Sequence, residues 1–152
     1  MRRLLMLLFI AQAVLGVKKY FIPNIAANWH KAQEFCISLG MTLVSVESLA
    51  EHEALVKFIK QSDKFSNATR FWLGGSDLAK EGTYTWVSSA RFFTFQNWAD
   101  GEPNNGNDTE HCIEMIHNIY VNRVWQWNDI NCRTFEAYFI CESVDSQCIQ
   151  NF

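Results

Sequence analysis

Five cysteines, Cys36, Cys112, Cys132, Cys141 and Cys148, in a chain of 152 residues constrain the fold more than any other feature. Whether they pair, bind metal or stay free depends on the compartment, and the first residues indicate it. Arg2 and Arg3 precede the apolar run Leu4-Leu5-Met6-Leu7-Leu8-Phe9-Ile10, and Ala11 and Ala13 follow at the spacing of a cleavage site, with Gly16 as a second boundary. This pattern predicts a signal peptide over residues 1–16. A membrane span would need ~20 apolar residues, and Lys18 and Lys19 end the apolar stretch. The mature chain, 17–152, is therefore expected to be secreted, with no membrane span and with its cysteines in an oxidising environment. An odd number leaves at least one cysteine without an intramolecular partner, and any four allow three pairings that spacing does not choose between. Zinc is the rival use, but no Cys-x-x-Cys occurs, and His30, His52, His111 and His117 show no ligand spacing with the cysteines. Disulfides are the expected outcome.

Length and charge narrow the classes further. Residues 17–152 suffice for one domain with its own core, and a hydrophobic fraction of 49% with 19% charged residues belongs to a globular chain. The formal charge is −3, and loss of Arg2 and Arg3 leaves 11 Lys and Arg against 16 Asp and Glu, a net −5. Nucleic-acid binding needs clustered positive charge, so that partner class is excluded.

The mature chain divides into an early helical part and a later strand-rich part. Asn28 is placed to cap a helix from Trp29 towards Leu39, with Trp29, Ala32, Phe35 and Cys36 at helical spacing and Gly40 to end it. Met41 to Val46 reads as a short strand. Ser48 and Glu51 form a capping box for a second helix ending near Lys60, with Leu55, Phe58 and Ile59 on one face. Strands are predicted at Phe71–Gly74, Thr83–Val87, Cys112–Ile119, Val124–Trp127 and Tyr138–Cys141. From Phe95 to Asp108 the chain turns polar and rich in Asn, Gly and Asp, a long loop of the kind that carries function. The fold class is α+β.

The chemistry concentrates in and beside that loop. Glu102-Pro103-Asn104 lies within it, Glu110 follows, and Asn128-Asp129 comes after Trp127. Carboxylate and amide oxygens of this kind suit calcium, which takes six to eight oxygen ligands in flexible geometry. Glu102 and Glu110 as a glycosidase-like acid–base pair is the enzymatic alternative, but no feature of the sequence buries either carboxyl or raises its pKa. No enzyme is expected.

Four features together resemble the C-type lectin domain family: Trp72-Leu73-Gly74-Gly75, Glu102-Pro103-Asn104, Trp127-Asn128-Asp129, and four cysteines in the family's order, spanning about residues 20–142 with a short tail over 143–152. The resemblance implies the double-loop α+β fold with two helices, short antiparallel sheets and a long calcium-binding loop. It also implies disulfides Cys36–Cys141 and Cys112–Cys132, and a cis bond before Pro103. The family's principal calcium and sugar site falls on Glu102, Asn104, Glu110, Asn128 and Asp129, three carboxylates and two amides. A second calcium site would use Asp77, Glu81 and Asn105 and share Glu110, but Asn105 and His111 stand where the family has acids, which weakens it. The Glu-Pro-Asn order implies mannose-type sugars bound through vicinal equatorial hydroxyls on the ion.

The expected function is thus a secreted, calcium-dependent lectin for glycans with mannose-type ends, as in innate immune recognition. The alternative is a protein-binding member of the same fold in which calcium only orders the loop. Asn67-Ala68-Thr69 and Asn107-Asp108-Thr109 are glycosylation sequons, the second inside the binding loop. Trp86, Trp98 and Trp125 are read as core rather than as sugar platforms. Cys148, beyond the paired cysteines, is available for a disulfide-linked homodimer.

Overall fold

The structure, a computed structural model, describes residues 18–144. The predicted signal peptide and Cys148 lie outside the described residues. Strand β1 (Lys18–Phe21) pairs antiparallel with the last strand, β9 (Cys141–Val144), and the short β2 (Thr42–Leu43) pairs with β9 from the other side. The two ends of the domain therefore meet in one three-stranded sheet. The second sheet runs in the order β5 (Arg91–Phe92), β4 (Thr85–Trp86), β3 (Ala68–Ser76), β6 (Cys112–Asn118), β7 (Arg123–Ile130). Strand β8 (Tyr138–Phe139) pairs parallel with β3.

Helix α1 spans Trp29–Ser38, and the Asn28 side chain accepts from the Lys31 amide at 3.0 Å, the cap expected from sequence. Helix α2 spans Leu49–Lys60. Ser48 Oγ accepts from the Glu51 amide, but the Glu51 carboxylate reaches back to the amide of Glu47 at 2.8 Å, one residue beyond the usual capping box. Lys18 explains the detour: its ammonium pairs with Glu51 and with the buried Glu142, tying α2 to the terminal sheet.

Strand β3 positions everything else. Its apolar run is buried on both faces, as a continuous hydrophobic strand should be. Phe71 and Leu73 enter one core with Val44, Leu55, Met115 and Trp127, while Trp72 points into the other with Trp29, Phe139 and the cysteines. Gly74 is dictated by proximity, since a Cβ there would lie 2.7 Å from the Leu43 carbonyl oxygen. Cys36–Cys141 fastens α1 to β9, and Cys112–Cys132 closes the base of the long loop, the pairing that the resemblance implied. Two expected strands are shorter than predicted. Met41–Val46 is a strand only at Thr42–Leu43, and Thr83–Val87 only at Thr85–Trp86. The sequence reading did not anticipate β1 or β5, whose partners are fixed by tertiary pairing.

Candidate ligand site on the long loop

The chain between β5 and β6 is held onto β7 by its own backbone. Trp127 donates to the Asn97 carbonyl at 2.7 Å, Ala99 donates to the Trp127 carbonyl at 2.8 Å, and the Asn97 side chain reaches the Trp125 carbonyl. Phe93, Phe95 and Trp98 pack around Trp127. Trp86 is fully buried, Trp125 nearly so and Trp98 half-buried, which places all three among packed aromatics.

This docking brings the loop to the outer end of β7. Asp129 is fully buried, and its carboxylate accepts from the Asn104 amide (3.0 Å), the Asn105 amide (2.8 Å) and the Tyr84 hydroxyl (3.3 Å). The Glu102–Pro103 bond is cis. The Asn104 side-chain amide donates to Glu102 at 2.6 Å, and the Gly106 amide donates to Glu110 at 2.9 Å. A Cβ on Gly106 would lie 2.8 Å from a Glu110 carboxylate oxygen and 3.3 Å from Asn104 Oδ1. Those two side-chain oxygens thus lie beside the same point of the loop. Asn128 joins the group through Arg123, whose guanidinium donates to Glu102 Oε1 (2.9 Å) and Asn128 Oδ1 (3.1 Å).

A positive group is therefore already held between two oxygen donors of the cluster, which tests its chemistry. The five side chains carry oxygen ligands, three of them on carboxylates, but Glu102, Glu110 and Asp129 do not form a group whose ligand atoms lie within 4.8 Å of one another. Oxygen ligands of this kind suit calcium, and an ion there would have to displace Arg123 from Glu102 and Asn128. Burial pushes the Glu102 carboxyl up, and the Arg123 guanidinium opposes it. Burial and the nearby Asp129 and Asp77 carboxylates push the Tyr84 phenol up strongly.

Behind Asn128 lies a residue the sequence reading missed. Glu114, cross-strand from Asn128, is fully buried, accepts from the Asn128 side chain at 3.0 Å and pairs with Arg70. Burial pushes its carboxyl up to about 7 despite Arg70, and its Oε2 has no hydrogen-bond partner among the described residues. The Asn128 amide nitrogen is thus turned inward and its oxygen outward. Arg123 was also missed, and a lone arginine in a strand gives no sequence signal of the partner it meets across the fold.

The second cluster differs from its sequence expectation. Asp77, Glu81 and His111 come together, with His111 Nδ1 3.1 Å from Asp77 and 3.4 Å from Glu81. Among the described residues this is the one group of three carboxylate, imidazole or thiolate donors lying within 4.8 Å of one another. Glu110 is not in that group, and the Asn105 side chain accepts from the Glu110 amide at 3.0 Å. Of the sequons, Asn67 is exposed before β3, and Asn107 is exposed in the loop with φ of 56°.

Residues 25–143 match the model of the lectin C-type domain. The chain is 61% identical over 140 residues to the C-type lectin mosGCTL-7 of Aedes aegypti, covering 92% of this chain and 93% of that protein. Among solved structures, it is similar to the cow C-type carbohydrate-recognition domain of CD23, determined in the presence of GlcNAc2Man3 oligosaccharide. That match has a TM-score of 0.70 and 27% identity, and covers 85% of this chain and 89% of the other. It is similar also to the Ca2+-independent C-type lectin SPL-2 of Saxidomus purpuratus, with a TM-score of 0.71 and 27% identity, covering 86% of this chain and 88% of the other. With its fold, its two disulfides and the match over most of its length, the chain belongs to the C-type lectin domain family.

Proposed function

We propose that the protein is a secreted lectin that binds mannose-type sugars through a calcium ion held by Glu102, Asn104, Glu110, Asn128 and Asp129. As a C-type lectin domain the chain binds and does not catalyse. The observation that carries the reading is the set of oxygen donors around Asn104 and Gly106, with a cation already between Glu102 and Asn128. Calcium, once bound, supplies a centre to which two neighbouring sugar hydroxyls can coordinate. The protein's residues supply the rest. Glu102 only accepts hydrogen bonds, whereas the Asn104 and Asn128 amides can donate. This donor and acceptor order favours equatorial vicinal hydroxyls, and Glu114 keeps the Asn128 amide facing one way. Secretion is supported by the two disulfides and by the apolar N-terminal stretch, and 17–152 is the proposed mature domain.

The test is a glycan array read in calcium and again in excess chelator. Mannose-type binding is expected in calcium alone, and millimolar free mannose should compete with it. Equal glycan binding with and without calcium would overturn the reading. A second reading, recognition of a protein surface, is favoured by a specific patch: Ile119, Tyr120 and Val121 between β6 and β7, and Val124 at the start of β7, are all exposed. Partner binding that free sugar does not inhibit would support it.

A further inference from the structure

Arg123 and Asn128 stand five residues apart on β7. In a regular strand, residues an odd number apart point to opposite faces, so Arg123 should not meet Asn128. A bulge changes that. Ile116 pairs with Gln126 and His117 with Val124, so Trp125 is an extra residue with no partner across the ladder. Its φ is 60°, a left-handed conformation uncommon for a bulky side chain. Past Trp125 the alternation is reset. Glu114, Ile116 and Asn118 share one face of β6, so their partners Asn128, Gln126 and Arg123 share that face on β7. Bulges re-aim side chains in this way, and they are over-represented beside functional sites.

What the bulge aims is a cation, and its targets are specific. The guanidinium donates to Glu102 Oε1 at 2.9 Å and to Asn128 Oδ1 at 3.1 Å, side-chain oxygens of two residues in the proposed calcium set. The Glu102 side chain is 3% exposed and that of Arg123 32%, so solvent screens the contact only in part. A guanidinium and a divalent ion repel each other, which makes them alternatives at these oxygens rather than neighbours.

We propose that Arg123 is a tethered competitor for the calcium position: it holds Glu102 and Asn128 when the ion is absent, and so sets how much calcium the loop requires. The proposal rests on the calcium reading of the loop and adds to it the residue that tunes affinity. Arg123 is a positioning residue, acting through Glu102 and Asn128. Its two bonds stabilise the ion-free loop, and a contact made only in the free state weakens binding by the same factor. Removing it should therefore tighten calcium binding, the reverse of what the loss of a merely structural contact does.

The experiment compares chelator-stripped wild type with Arg123→Gln, Arg123→Lys and Arg91→Gln. Calcium chloride is titrated by calorimetry, and melting is followed in chelator and in saturating calcium. Arg123→Gln is expected to bind calcium about tenfold more tightly, the scale of one partly exposed charge-assisted contact. Arg123→Lys should fall between the two, because an ammonium lacks the planar fork that reaches both acceptors. Arg91→Gln removes the same charge from an exposed side chain facing Glu47 and should keep wild-type affinity. In chelator Arg123→Gln should melt below the wild type, and saturating calcium should close that gap. Equal or weaker calcium binding in Arg123→Gln would overturn the competitor and leave the calcium reading standing. Calcium uptake by neither the wild type nor either Arg123 variant would overturn both. If Arg123→Gln fails to fold, Arg123→Lys decides the matter: affinity no higher than wild type counts against the proposal.

Discussion

In the sheet around β3, fully buried residues include Phe71, Trp72, Leu73, Met115 and Trp127, whereas the enclosed side chains nearer the loop include the carboxylates Asp77, Asp129 and Glu114. The first group is held by area. An enclosed indole or phenyl ring needs apolar neighbours of about the right volume and tolerates several arrangements. The second group is held by direction. Each carboxylate must find specific donors, because a buried polar atom left unpaired costs more than a paired one contributes. Asp129 finds two loop amides and a tyrosine, Glu114 finds Arg70 and Asn128, and Asp77 finds a glycine amide and His111. The apolar region therefore sets stability, and the polar region sets which ligand can be held.

Three changes probe that division, in decreasing order of expected effect on stability. Trp72→Ala removes a fully buried indole that donates to the Ala27 carbonyl at 2.9 Å and meets Phe135 edge-on. A loss of about 3–5 kcal/mol is expected in urea unfolding, while any folded fraction should keep its metal binding. A loss below about 1 kcal/mol would break the assignment of stability to the apolar side.

Glu114 tests the other side through pH. Its folded pKa of about 7 lies above its ordinary value of 4.5, so between those limits the folded state binds the extra proton. Its contribution is fully present below about pH 4.5 and is lost as pH rises through about 7. His52 and His117, pushed down by burial, act oppositely and lose stability as pH falls. The difference between wild type and Glu114→Gln isolates the glutamate. In calcium-free buffer the wild type should show the steeper decline from pH 5 to 7, by at most about 1.4 kcal/mol per pH unit. Parallel pH profiles for the two proteins would show that Glu114 is already ionised.

The smallest effect on stability should come from Glu102→Gln with Asn104→Asp, which reverses donor and acceptor order and leaves the pair's charge at −1. Only about 1 kcal/mol is expected from the weakened contact with Arg123. Mannose affinity should nevertheless fall before calcium affinity does, with some gain of galactose binding. The gain is limited because Gly106 offers no aromatic surface beside the loop. Full mannose affinity in this double variant would detach Glu102 and Asn104 from sugar choice.

The sequence by itself was most informative where the determinant is local. Asn28 and Ser48 mark helix starts because a capping oxygen acts within three residues of its own position, and the two helices end within a residue of where they were expected. The run of Phe71 to Gly74 announced a strand, and the composition of 95–108 announced a loop. The disulfide pairing was legible only through resemblance, since four cysteines admit three connectivities. Tertiary structure decided the rest. Arg123 meets Glu102 and Asn128 only because β7 lies beneath the docked loop. Glu114 looks like a solvent-facing residue between Ile113 and Met115 until Arg70 and Asn128 close over it. His111 reaches Asp77 and Glu81 only because β3 and β6 end side by side. The reason is physical: caps and hydrophobic runs are properties of neighbouring residues, whereas an ion site depends on distances between atoms the chain brings together only by folding.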